Sequence, residues 1–145
     1  MKNFIIAAAF AVTPLAALAQ GMPSAEGANL YFIGLADGDT VTSPLTVRFG
    51  LSGMGVAPAG TEKEMTGHHH LLIDRPALGE GEFGAEEYEL AIPNDENHRH
   101  FGGGQTETTI ELTPGSHTLQ LVLGDVGHVP HDPPVVSPVI TITVN

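Results

Sequence analysis

Apolar and polar residues alternate along much of this chain with the two-residue period of β-strands. The alternation is clearest in Thr46-Val47-Arg48-Phe49-Gly50-Leu51, in Leu119-Gln120-Leu121-Val122-Leu123 and in Val139-Ile140-Thr141-Ile142-Thr143-Val144. In each, one set of alternate side chains is apolar and suited to line the inner face of a sheet. Seven segments read as strands: Leu30–Gly34, Leu45–Leu51, His69–Ile73, Tyr88–Ile92, Thr106–Leu112, His117–Leu123 and Val139–Val144. Turn residues separate them, at Asp37-Gly38-Asp39, Pro58-Ala59-Gly60, Pro93-Asn94-Asp95, Pro114-Gly115 and the proline-rich run Pro130 to Pro138. No long segment carries the helical period, although Glu86 to Leu90 also suits a helical turn. The pattern predicts an all-β fold: an immunoglobulin-like antiparallel β-sandwich of about seven strands, without the cysteine pair and core tryptophan of antibody domains.

One predicted strand is unusual. Thr66-Gly67-His68-His69-His70-Leu71-Leu72-Ile73-Asp74 runs three imidazoles straight into an apolar segment. Alternation sends His69, Leu71 and Ile73 to one face and His68, His70 and Leu72 to the other. His68 and His70 then project from the same side, roughly 6–7 Å apart at Cα, close enough to share a metal ion. If the strands follow one another as in an immunoglobulin-like sandwich, three connections meet at one end. The first, Ser52 to Gly67, leads into His68 and His70. The second, Pro93 to Gln105, carries His98 and His100, and the third, Gly124 to Ser137, carries His128 and His131. Six of the eight histidines would gather there. His117, in phase with Leu119 and Leu121, falls at the opposite end and reads as a structural histidine, as does His69 on the core face.

Composition narrows the chemistry. Met1 to Ala19 has the form of a secretory signal peptide, with Lys2, an apolar run from Phe4 to Val12 and Ala17-Leu18-Ala19 as cleavage site. The expected mature protein starts at Gln20 with a flexible leader to Asn29, followed by a single domain over residues 30–145. It would be periplasmic or secreted, with no membrane insertion after cleavage. Loss of Lys2 leaves a formal charge of −13, which disfavours nucleic acid and anionic membranes and favours cations. With no cysteine, disulfides, thiolate zinc sites and a cysteine-ligated blue-copper centre are excluded. Any metal must be held by nitrogen, oxygen or thioether sulfur.

From about Pro44 to Val144 the chain resembles an uncharacterised bacterial family, domain of unknown function 4399. The segments that carry the resemblance are Gly53 to Gly60, Thr66 to Asp74, His100 to Thr109, Pro114 to Asp125, and His128-Val129-Pro130-His131. The resemblance implies an exported bacterial domain in which the histidine segments belong together. It implies no activity.

The candidate ligands are therefore His68, His70, His98, His100, His128 and His131, more imidazoles than one ion needs. Asp74, Asp125 and Asp132 are candidates to orient them, with Asp132 the best placed. Imidazole-rich sites suit zinc, copper and nickel. Met54 and Met65, on the loop before His68, would add a thioether, so copper is the expected cofactor and zinc the alternative. The expected function is storage, buffering or delivery of the ion, with a periplasmic protein partner. Two rivals stand beside it: a protein- or glycan-binding envelope module, and a metal-dependent enzyme with Glu96 or Asp95 as general base. Other enzyme signals fail. Gly79-Glu80-Gly81-Glu82-Phe83-Gly84 matches G-x-G-x-x-G but places glutamates where a pyrophosphate would approach. The glycine run after His100 lacks a partner G-x-S-x-G nucleophile elbow.

Overall fold

The computed structural model describes residues 21–145, so the expected signal peptide, Met1 to Ala19, and Gln20 lie outside the described residues. Nine strands run in chain order: β1 (Asn29–Ile33), β2 (Thr40–Val41), β3 (Leu45–Ser52), β4 (Gly55–Val56), β5 (Thr66–Ile73), β6 (His98–His100), β7 (Glu107–Ile110), β8 (Gly115–Gly124) and β9 (Ile140–Val144). One sheet has the order β1-β3-β7; the other has the order β2-β9-β8-β5-β4, with β6 also paired to β5. Most pairs are antiparallel, but β2 lies parallel to β9 and β4 parallel to β5.

The alternating segments form the core as their period requires. Val47 and Phe49 of β3 face inward, as do Leu119, Leu121 and Leu123 of β8 and Ile140, Ile142 and Val144 of β9. Leu30, Leu71 and Ile73 join them, so both sheets contribute to one cluster. Burying each such side chain contributes about 1.5–3 kcal/mol before chain entropy is counted. The outer face of β5 and β8 is covered too. Leu72 and Val122 pack there against Leu78 and Ile92, with Tyr88 and Val136 at the margin. All eight residues of β5 are consequently buried.

The fourth predicted strand is absent. Tyr88–Ile92 does not form a strand; a 3-10 helix at Gly84–Tyr88 ends where it was expected to begin. Side chains of that turn are tied back to the preceding segment. Arg75 donates to both carboxylate oxygens of Glu87 at 2.8 Å, Gly79 N–H donates to the same carboxylate, and Tyr88 Oη donates to Leu78 O at 2.9 Å. These contacts favour a compact turn over an extended ladder. The short strands β2, β4 and β6 were not apparent from alternation. Among the described residues no helix is long and apolar enough to cross a membrane.

Candidate metal centre

Strand β5 supplies two of the site's rings from its outer face. Pairing with β8 sets His68 opposite Gly124 and His70 opposite Val122. Pairing with β6 sets His70 opposite His100 and Leu72 opposite His98. The fourth ring comes from the turn after β8, where His128 has φ +69°, a left-handed conformation that costs a non-glycine residue free energy. Its amide donates to Asp125 O, and its carbonyl accepts from Ile92 N–H.

His68, His70, His100 and His128 each offer a nitrogen within 4.8 Å of the others. His68 Nε2 lies 3.0 Å from His70 Nε2 and 3.1 Å from His128 Nδ1. His100 Nε2 is buried without a hydrogen-bond partner. Ligating nitrogens 2.0–2.1 Å from one ion stand about 3.3 Å apart in a tetrahedron, so the cluster is already near ligating spacing. The rings are arranged alike. Five of the six centroid separations fall between 4.6 and 5.0 Å, and the sixth, His70 to His128, is 6.0 Å. Four rings on one tetrahedral ion would put their centroids about 5 Å apart, whereas a square would stretch two separations well beyond the other four.

Two glycines make room for this packing. A Cβ on Gly124 would lie 2.7 Å from His70 Nε2, and one on Gly102 would lie 2.7 Å from His100 Nε2. The segment after β4 bridges the stretches that follow His100 and precede His128. Ala59 N–H donates to Gly102 O at 2.9 Å, and Gly60 N–H donates to Val126 O at 3.2 Å.

The environment disfavours protonation of the His68, His70 and His100 rings. Burial, followed by repulsion from His100 and His128, pushes the His68 pKa down to about 4. Burial, with His68 and His100 next, pushes His70 down to about 2. His100 is lowered by burial and then by His128. Neutral imidazole is the form that ligates a metal.

The other expected ligands stand elsewhere. His98 shares the β6 face with His100, but its Nε2 accepts from Arg75 at 2.6 Å and its Nδ1 meets Asp95 Oδ1 at 2.7 Å. It lines a cavity of about 420 Å³ beside Leu78 and Ile92. His131 is buried with its two ring nitrogens 3.3 Å from Leu123 O and 3.1 Å from Thr66 O, so it braces β8 against β5. Met54 packs on the main core, and Met65 is 43% exposed. Asp132 is exposed, and its backbone pairs with Met22 and Ser24. Asp74 does orient a histidine, His117, at 2.7 Å. Thr113 O holds the other nitrogen of that ring, and the Asp74 carboxylate raises the His117 pKa. His69 lies against Phe49 on the core side with Nδ1 at Gln105 O; burial pushes its pKa down to about 4. The roles of Gly102 and Gly124 were not anticipated, since neither stands next to a histidine in the sequence and only the folded chain brings their Cα atoms against the rings.

The chain belongs to a family described only as a domain of unknown function (DUF4399), whose model matches residues 47–145. No curated protein and no solved structure matches it.

Proposed function

We propose that this family member is an exported protein that holds one transition metal ion at His68, His70, His100 and His128, for storage, buffering or delivery. The observation that carries this reading is four imidazoles from three separate segments, each with a nitrogen within 4.8 Å of the others. Hydrophobic packing alone would not gather them, because a buried polar ring costs free energy unless its nitrogens find partners. Four protein ligands also complete a tetrahedral shell. Catalytic centres keep a position open, so a closed shell favours holding an ion over turning over a substrate. Export rests on the leader at Met1 to Ala19.

Among the metals, the ring arrangement favours zinc(II), which accepts a tetrahedron of nitrogens readily. Copper is the second reading, because copper(II) outcompetes zinc for nitrogen sites in general. Its tetragonal preference would have to spread four packed rings toward a plane.

The test is elemental analysis of protein expressed with its leader and purified without an affinity tag, followed by zinc and copper competition against chelators of known affinity. One equivalent of metal is expected, lost in His70→Ala and His100→Ala. Metal-free protein whose variants bind added ions like wild type would leave the envelope-module reading in its place. Mass spectrometry of the exported chain should find Gln20 at its N-terminus.

A further inference from the structure

Asp125 is a buried carboxylate, 5% exposed, at the start of the turn that carries His128. Its Oδ1 accepts the Gly127 amide at 2.8 Å and the Val129 amide at 3.0 Å, while Oδ2 accepts the Met22 amide at 3.0 Å. All three partners are neutral. Ion pairs among the described residues join Arg48 to Glu107, Arg75 to Glu87, His98 to Asp95 and His117 to Asp74, and none reaches Asp125. A buried charge is ordinarily paired with an opposite charge or a metal. Beside this one stands the cluster of four imidazoles. Residue 124, its chain neighbour, lies directly opposite His68, and the His128 amide donates to Asp125 O at 3.1 Å. This carboxylate without a cationic partner thus belongs to the segment that adjoins His68 and carries His128.

We infer that Asp125 is the counter-charge of the metal centre, a positioning residue that touches no ion but makes the four-imidazole site prefer divalent over monovalent cations. This rests on the metal-binding reading above and adds a source of specificity to it. Four neutral imidazoles leave the full charge of the ion uncompensated. One adjacent carboxylate offsets part of it, and the offset is worth more to a doubly charged ion than to a singly charged one.

Asp125→Asn removes the charge and keeps an oxygen to receive the Gly127 and Val129 amides. Met22→Pro removes the Met22 amide donor and keeps the charge. Uptake of zinc by the wild-type chain is measured first; no uptake there would sink the metal reading itself, before any variant is compared. Given uptake, Asp125→Asn should weaken zinc(II) about tenfold to hundredfold, the range seen when groups beyond the ligands are altered. Copper(I), measured anaerobically, should weaken less, so the ratio of the two affinities falls. The cobalt(II) ligand-field spectrum should keep its wild-type bands, because the ligands stay in place. Met22→Pro should bind zinc like wild type. Equal loss in Met22→Pro, an unchanged zinc-to-copper(I) ratio in Asp125→Asn, or an altered cobalt spectrum would each overturn the inference.

Discussion

Removing His70 should make the metal-free domain less sensitive to acid, even though it deletes a buried side chain. The folded protein depresses the His70 pKa from 6.5 to about 2, so native His70 stays neutral where the unfolded chain takes up a proton. A group shifted this way contributes fully above the unfolded pKa, and its contribution is lost as pH falls toward the folded value. At about pH 7 the unfolded ring is mostly neutral, and the difference is a few tenths of a kcal/mol. At about pH 5 nearly all unfolded rings are charged, and linkage gives roughly 2 kcal/mol. His68, shifted to about 4, adds a similar slope over the same interval. Against a total stability on the order of 5–15 kcal/mol, this is a large share. The assay is urea unfolding of chelator-treated protein across that interval. Wild type should lose about 2 kcal/mol more than His70→Ala between the two pH values, whatever their offset at neutrality. Parallel pH profiles would show that the fold does not hold His70 neutral, and the account of the site's electrostatics would fail.

Under the proposed function, the same shifts would govern metal release. Native His68 does not protonate until about pH 4, so bound zinc should survive dialysis below the ordinary histidine pKa; a release midpoint near 6.5 would contradict this. His98→Ala should leave zinc affinity unchanged while His100→Ala weakens it at least tenfold, about 1.4 kcal/mol, by chelator competition. His117→Ala should leave affinity unchanged but destabilise the apo domain by about 1–3 kcal/mol. Because the His117 pKa is raised, that stabilisation is present below 6.5 and fades as pH rises through the higher folded value. Thermal melts should therefore separate wild type from His117→Ala more at about pH 6 than at about pH 9.

How far the site could be read from the sequence depended on which residues were governed by period alone. The split of His68 and His70 from His69 follows from alternation, and the structure reproduces it because β5 is regular. His100 and His98 have the same alternation, and only the β5–β6 register brings one to His70 and the other to Leu72. Register is a long-range property that two-residue spacing does not encode. His128 and His131 diverge through a left-handed backbone at His128, which nothing in His128-Val129-Pro130-His131 announces. The missing fourth strand has a similar cause, since Arg75 and Glu87 meet across twelve residues. Met54 was expected to offer its thioether from the loop before His68, whereas the fold packs it against the main core.

A strand buried on both faces has no harmless misalignment. Sliding β5 by one residue along β8 would exchange its faces, driving two imidazoles among the leucines and turning Leu71 toward His128. Such a chain could still be compact and rich in strands, yet it would have lost the four-nitrogen cage. An ion that binds only the correct alignment stabilises it alone, by an amount that grows with the ratio of free metal to dissociation constant. Under the proposed function, the metal would then serve as a proofreader of strand pairing, and its occupancy in a newly exported population would count the correctly threaded molecules.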